Sequence, residues 1–119
     1  MHAVAVTHAD NHSTVCEHCL VADRMLPRMR GLLGRRELRS GEGMVIRPAP
    51  SIHTFFMRFP IDAVFLARDG EVLKVANDVK PWRVRSARRA HSVIELAAGE
   101  AKRRGVSPGD RLQFGQAVA

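Results

Sequence analysis

The feature that most restricts the fold is a hairpin signal in the middle of the chain. Residues 61–67, IDAVFLA, and residues 72–76, VLKVA, are two runs rich in strand-forming side chains, and Asp69-Gly70 lies between them. An Asp-Gly pair in this position is typical of a tight β-hairpin, because both residue types accept the positive φ angles of the turn. The first run is almost continuously apolar, which indicates a strand covered on both faces. The second run alternates and is predicted to be a more exposed neighbour.

Short runs of the same kind elsewhere in the chain predict further strands. Residues 14–22, TVCEHCLVA, alternate weakly, and residues 92–96, SVIEL, form an apolar run interrupted by Glu95. GMVIRP, residues 43–48, reads as a short strand that ends at its proline. A turn with Pro and then Gly at residues 107–110 is expected to lead into a last strand. Counted with the hairpin, these runs predict six or seven short strands.

Two short helices are predicted beside the strands. Asp23 is expected to cap the first, which ends at Gly34, and residues 97–105, AAGEAKRRG, are expected to contain the second. We therefore predict a mainly β fold, a compact single-domain β-barrel or sandwich of about six or seven short strands with two short helices. Residues 1–13 show no clear period and are interpreted as a loose N-terminal lead-in to a single domain over residues 14–119.

The composition is that of a globular protein without a membrane-spanning segment. The chain has 119 residues, of which 45% are hydrophobic, enough to bury a core and too many for a disordered tail. No apolar run approaches the roughly 18 residues that cross a bilayer. The amino terminus shows neither the basic region nor the continuous apolar region of a secretory signal. We therefore expect a cytoplasmic monomer that makes no contact with membranes.

Positive charge is concentrated in two segments. The net charge is +7, and residues 24–39 carry six Arg against one Glu, whereas residues 80–89 carry five cations and no acid. Guanidinium groups bind phosphate, so nucleic acid or another polyanion is an alternative partner, provided that both segments share one face. Surfaces of this kind usually combine cations with exposed aromatic rings, and only Trp82 lies within a basic segment. The sequence therefore ranks polyanion binding below the other interpretations.

The most promising site lies around SIHTFFMRFPID, residues 51–62. This segment gathers ionisable and apolar side chains at the entry to the two-sided strand, and another buried-looking strand contributes one more acid. An acid in either strand needs a partner, because burial of a bare charge is costly. We interpret the chain as a non-enzymatic binding domain for an unidentified small molecule or short peptide segment. The candidate ligand-binding residues, which would frame one cleft, are His53, Phe56, Met57, Arg58, Asp62 and Glu95.

Two alternatives remain open for the acids of this site. In an enzyme of the hydrolase or lyase kind, Asp62 and Glu95 would line the cleft and His53 would carry protons near neutral pH. No nucleophile elbow, phosphate loop or HExxH pair supports such an activity, and no catalytic residue is assigned. In a purely structural interpretation, Asp62 forms a buried salt bridge with Arg58, its nearest cation in the sequence.

The two cysteines are the most metal-like feature of the sequence. Cys16 and Cys19 are three positions apart and could clasp a zinc ion, with His8 and His12 as the remaining two ligands. In an extended strand, however, side chains three positions apart point to opposite faces and cannot share a metal. We therefore predict that the chain holds no metal and no cofactor, and that its thiols suit a reducing compartment.

Several blocks of the sequence, in this order and spacing, resemble the domain-of-unknown-function 192 family, also called uncharacterised protein family 0127. The blocks extend from Ala22 to Phe114 and include MRGLLGR, GEGMVI, HTFFMRFPIDAVFL, VIELAAGEAKRRG and PGDRL. The resemblance implies a small, mostly β domain with short helices and no established activity. Many members carry an export signal or a lipid anchor, and this chain shows neither, which implies a cytoplasmic branch.

The sequence also departs from the common family pattern. Asp62 and Glu95 match acidic positions of the family motif, but Phe56-Met57 stands in place of a Trp-Met pair. The Asn-Thr pair of the pattern is missing, and the link from Met57 to Asp62 is shorter. The resemblance therefore transfers no hydrogen-bonding role for the missing groups and gives the two acids no defined task.

Overall fold

The computed structural model describes residues 2–22 and 36–117, and these contain nine strands and one short helix. The helix predicted from Asp23 to Gly34 lies outside the described residues. In chain order the elements are β1 (His2–His8), β2 (Thr14–Ala22), β3 (Glu42–Ile46), β4 (Ser51–His53), β5 (Ile61–Leu66), β6 (Val72–Val79), β7 (Val84–Ser86), β8 (Ser92–Ala97), α1 (Glu100–Arg103) and β9 (Leu112–Gln116).

Seven of these strands form one curled sheet in the order β6-β5-β8-β3-β2-β1-β9. Strands β2 and β3 run parallel, and the other neighbours in the sheet are antiparallel. The two edges approach each other where Glu71 bridges Arg111 and the Val72 N–H donates to the Asp110 carbonyl at 2.7 Å. The sheet is therefore a half-closed barrel, and β4 and β7 pair into a separate two-stranded sheet. The predicted mainly β class is confirmed.

The hairpin predicted from Asp69-Gly70 connects β5 and β6. The Gly70 N–H donates to the Ala67 carbonyl at 3.0 Å, and Gly70 has a φ of 92°, which side chains rarely tolerate. All six residues of β5 are buried, whereas β6 is buried only at intervals. Both predictions for these strands are confirmed, because the side chains of β5 enter a buried hydrophobic cluster on each face of the sheet.

Side-chain alternation along the strands divides the core into an inner and an outer layer. The inner layer takes side chains from all seven strands of the curled sheet, which makes it the interior of the half-barrel, and Ala101 of α1 closes it. The outer layer lies on the other face of the sheet, beneath the two-stranded sheet. It joins Ile61, Ala63 and Phe65 of β5 to Ile52 of β4 and to Met57.

The amino-terminal residues belong to the sheet, contrary to the prediction of a loose lead-in. Residues 2–8 form β1, which pairs with β2 on one side and with β9 on the other. Val6 is fully buried, and Nε2 of His8 lies 2.9 Å from the Arg104 carbonyl oxygen. Two long-range strand partners therefore order a segment that has little periodicity of its own.

Helix α1 is shorter than the predicted segment 97–105 and lies between two glycines with positive φ, Gly99 and Gly105. Glu100 and Ala101 are buried, so this single turn is fixed by packing and not by helix propensity. The Ala101 N–H donates into the inner layer, to the carboxylate of Asp62. In the described part of the chain, no helix has the length and apolar character needed to span a bilayer.

Candidate functional site

Thr54 holds together the two loops that carry the exposed side chains of the site. Its hydroxyl donates to the Lys80 carbonyl at 2.7 Å and accepts from the Arg83 N–H at 2.9 Å. The Thr54 carbonyl accepts from the N–H groups of Met57 and Trp82 at 3.2 and 3.1 Å. Thr54 itself is fully buried, so the loop after β4 and the loop before β7 are joined by a small hydrogen-bond network beneath the surface.

Four rings are brought together above this network, and we call His53, Phe55, Phe56 and Trp82 the aromatic cluster. Ring centroids are 4.8 Å apart for His53 and Phe55, 5.5 Å for Phe55 and Trp82, and 4.7 Å for Phe56 and Trp82. Phe56 is 69% exposed and Trp82 is 56% exposed. The rings therefore form an open surface and not part of the core.

The backbone under the aromatic cluster adopts an uncommon conformation. Phe56 has a φ of 66° and Trp82 a φ of 67°, a left-handed region that bulky residues rarely occupy. The Thr54 carbonyl closes a turn around Phe56 by accepting from the Met57 N–H, and it accepts directly from the Trp82 N–H. The hydrophobic effect does not fix either residue, since both side chains face solvent. Backbone strain of this kind persists when surrounding structure fixes it, and it occurs often where a ligand is held.

Cations are concentrated in the segments that carry the aromatic cluster. The segments 43–61 and 79–94, which contain β4, β7 and their loops, carry seven cations and no Asp or Glu. None of these cations forms an ion pair with a carboxylate of the described residues; Arg83 and Arg85, for example, donate only to backbone carbonyls. We call the aromatic cluster and these cations together the aromatic–cationic surface. The cations are Arg47, Arg58, Lys80, Arg83, Arg85, Arg88 and Arg89.

Asp62 lies in the inner layer, away from the aromatic–cationic surface. Its carboxylate is fully buried and accepts two backbone hydrogen bonds, from the Asp78 N–H at 2.8 Å and from the Ala101 N–H at 2.9 Å. Arg58 is exposed and is not its partner, so the alternative of an Asp62–Arg58 salt bridge is wrong. Both carboxylate oxygens are occupied by N–H groups, and Asp62 serves to join β6 to α1.

Glu95 lies on the opposite face of the same sheet. The β5–β8 register pairs Ala63 with Glu95 and Asp62 with Leu96, so the two acids point into different layers. Burial raises the pKa of Glu95 to about 8, which leaves the side chain protonated at neutral pH. Its neighbour on β3 is Met44, and no described residue gives it a hydrogen bond or an ion pair. A shared cleft with Asp62 is therefore excluded by the register.

The six predicted site residues thus separate into two groups. His53, Phe56 and Arg58 are exposed on the aromatic–cationic surface, and Met57 is buried directly beneath it in the outer layer. The two acids belong to other places in the fold. Sequence reasoning missed the main partner of these residues, Trp82, as a member of the site, although its position within a basic segment was a usable signal.

The two cysteines occupy one face of β2, contrary to prediction. A register shift against β1, from Val4 opposite Cys19 to Val6 opposite Cys16, adds one residue to β2 and turns both thiols into the inner layer. Their mutual hydrogen bond lowers the pKa of Cys16 and, together with burial, raises that of Cys19. Within residues 2–22 and 36–117 no three His, Cys, Asp or Glu side chains gather as metal ligands.

Relatives of this chain are found along almost its whole length. The family model DUF192, described as an uncharacterized ACR, matches residues 5–114. The UPF0127 protein PF1050 of Pyrococcus furiosus is 32% identical over 101 residues, which cover 82% of this chain and 86% of that protein. Neither description assigns an activity.

Solved structures with the same architecture are also found. A "putative transcription regulator" from Sinorhizobium meliloti 1021 gives a TM-score of 0.80 at 29% identity, covering 94% of this chain and 92% of that chain. A protein of unknown function from Novosphingobium aromaticivorans DSM 12444 gives a TM-score of 0.79 at 25% identity, covering 93% of this chain and 83% of that chain. The compact β domain described above is therefore shared with these proteins.

Proposed function

Since this chain belongs to the DUF192 family of uncharacterized proteins, its function has to be inferred from its own surface, and we propose that it is a non-enzymatic binding domain. The aromatic cluster is its recognition surface. The observation that carries this proposal is the exposure of Phe56 and Trp82 on backbone held in a left-handed conformation by Thr54. Two large rings kept in solvent at a conformational cost are expected to have a ligand to cover them.

The chemistry of the cluster selects ligands with flat faces. Aromatic rings stack on other rings or pack edge to face, and each such contact adds about 0.5–1.5 kcal/mol to the burial of apolar area. Within the cluster Phe56 already meets Trp82 edge to face, so the outer faces of these rings remain for a ligand. A small aromatic molecule, or an aromatic side chain within a peptide segment, fits this surface.

The carboxylate chemistry considered for this chain has no support in its geometry. General acid–base catalysis by two acids requires both to reach one substrate. Asp62 has both oxygens engaged by backbone N–H groups in the inner layer, and Glu95 lies on the other face of the sheet. A hydrolase or lyase that uses these two acids with His53 is therefore not our proposal.

The binding domain is proposed to work in the cytoplasm. The chain has two cysteines, Cys16 and Cys19, and both are buried in the inner layer. A small domain with a hydrophobic core and no framework of several cysteines suits a reducing compartment. This assignment is tested by locating the tagged protein in fractionated cells, where recovery with periplasmic or secreted markers would contradict it.

Trp82 is the only tryptophan of the chain, so its fluorescence reports directly on the proposed surface. We expect adenosine and adenosine monophosphate, used as flat probes, to quench the Trp82 emission in a saturable manner. Phe56→Ala is expected to weaken this binding about 5-fold, because one ring contact of about 1 kcal/mol is lost. The measurement is a fluorescence titration at constant ionic strength.

Phe114→Ala is the matched control for this titration, since Phe114 is also an exposed phenylalanine but lies on the edge strand β9. It is expected to bind both probes as the unchanged protein does. Absence of any saturable quenching by flat probes, or an equal loss in the two variants, would contradict recognition at the aromatic cluster.

A further inference from the structure

Resting on the proposed role of the aromatic cluster, we propose that its natural partner is a single-stranded nucleic acid. Unpaired bases stack on Phe56 and Trp82, and the phosphates between them contact the surrounding cations. Proteins that bind single strands without sequence preference combine these two elements, a positively charged track and aromatic stacking platforms. The aromatic–cationic surface has both, and the fold brings them together from segments that are far apart in the sequence.

The charge distribution supports a polyanionic partner. Elsewhere in the described residues four arginines pair with carboxylates, namely Arg39 with Glu37, Arg103 with Glu100, Arg104 with Glu17 and Arg111 with Asp69, and two, Arg36 and Arg68, do not. On the aromatic–cationic surface none of the seven cations has a carboxylate partner among the described residues. Their mutual repulsion is relieved when a polyanion binds, and binding releases the counterions that were condensed on that polyanion.

The order of side chains in the loop before β7 fits a polynucleotide better than a lipid surface. Lys80 and Arg83 stand on either side of the exposed Trp82 in the sequence, and the backbone N–H groups of Trp82 and Arg83 are both held by Thr54. A nucleic acid strand likewise carries a phosphate on either side of each base. A surface that enters a bilayer needs instead an uninterrupted apolar tip with the cations behind it.

The solvent-exposed faces of the aromatic rings favour single strands over duplexes as ligands. Bases in a duplex are stacked on one another and offer no free face, whereas bases in a single strand do. Two adjacent exposed rings, with their centroids 4.7 Å apart, provide stacking surfaces for neighbouring unpaired bases. Arginine predominates among the cations, and its planar guanidinium can bind a phosphate through two parallel hydrogen bonds.

The test measures the affinity of the full chain for a fluorescein-labelled decathymidylate by fluorescence anisotropy, over a series of salt concentrations. We expect saturable binding in which log K falls linearly with log salt, with a slope of about −0.7 for each phosphate neutralised. Arg83→Gln is expected to reduce the magnitude of this slope by about 0.7. Phe56→Ala and Trp82→Ala are each expected to weaken binding about 5- to 20-fold and to leave the slope unchanged.

Two control variants test whether binding depends on this surface or on the overall charge and apolar area of the protein. Lys102→Gln removes one exposed cation from α1, on the other side of the sheet, and Phe114→Ala removes one exposed ring from β9. Both are expected to bind the decathymidylate with unchanged slope and affinity. Urea unfolding of every variant confirms that the changes at the surface leave the fold intact.

The outcomes distinguish this inference from the proposed function on which it rests. If adenosine monophosphate binds at Trp82 with the same affinity as the decathymidylate, the aromatic cluster is a small-molecule site. In that case the single-strand proposal fails and the proposed function stands. If a duplex of equal length binds as tightly, or if vesicles containing phosphatidylglycerol shift the Trp82 emission while the oligonucleotide does not, the proposal is overturned in favour of a duplex or a membrane surface. If no probe affects Trp82, both proposals fail.

Discussion

Asp62→Ala is expected to lower the free energy of unfolding by roughly 3–5 kcal/mol, since it leaves one buried and one partly buried N–H group without acceptors at about 1–3 kcal/mol each. The groups are those of Asp78 and Ala101, which the Asp62 carboxylate binds at 2.8 and 2.9 Å. Asp78 has a φ of 50° and belongs to an irregular part of β6, so the loss releases a strained residue as well as the start of α1. Urea denaturation followed by circular dichroism measures the change.

Asp69→Ala is the matched control, because Asp69 also accepts a backbone N–H, that of Glu71 at 3.0 Å, and in addition pairs with Arg111. Both of these contacts are exposed to solvent, and exposed pairs contribute about 0–1 kcal/mol. A loss at Asp62 no larger than that at Asp69 would contradict a structural role for the buried carboxylate. A variant that fails to fold at all would agree with it, and Asp62→Asn, which can still accept one N–H, would then give the measurable intermediate value.

The parts of the fold that follow from local signals could be predicted, and those that depend on distant partners could not. The Asp69-Gly70 turn and the two-sided burial of β5 are encoded in adjacent residues, and both are confirmed. Strand β1 has no such local signal in its sequence. It is held as a strand by pairing with β2 and with β9, and β9 is more than 100 residues away. In the same way the register shift that turns Cys16 and Cys19 to one face arises from pairing with β1.

The arrangement of the candidate site also depends on distant partners more than on local sequence signals. Whether Asp62 and Glu95 share a face depends on one residue of register between β5 and β8, and a change of one residue inverts every side chain. The sequence contains no signal for that parity. The contact of Phe56 with Trp82 likewise depends on Thr54, whose bonds reach across 26 and 29 residues. Sequence alone therefore pointed to the loop that carries Phe56 but grouped it with two acids that lie elsewhere in the fold.

The positions of the two basic segments also depend on contacts between distant parts of the chain. The polyanion interpretation required the segments 24–39 and 80–89 to share one face, and most of the first segment lies outside the described residues. That requirement is therefore still a prediction. What the fold adds is a different partner for the second segment, since β4 pairs with β7 and brings Phe55, Phe56 and Arg58 alongside it. The basic segment itself contains no aromatic residue besides Trp82, and this pairing brings further rings next to it.

Glu95→Gln is expected to raise the free energy of unfolding at high pH and to change it little at low pH. Burial raises the pKa of Glu95 to about 8 in the folded protein, against 4.5 for an ordinary glutamic acid. Between these two values the folded protein retains a proton that the unfolded chain releases, so stability falls as the pH rises through this window. Below it both states are protonated, and above it both are ionised and the loss is complete.

Glutamine has nearly the same shape but no proton to release, so the free energy of unfolding of the variant does not fall with rising pH at this position. We expect the two proteins to agree within about 1 kcal/mol at pH 5, and the variant to be more stable at pH 9 by an amount on the order of 4 kcal/mol. Urea denaturation at pH 5, 7 and 9 measures the difference, and Glu37→Gln, at an exposed position, is expected to show no such dependence. A constant difference between wild type and Glu95→Gln at all three pH values would mean that Glu95 titrates normally, and that its carboxyl group is open to water or paired instead of sealed in the outer layer.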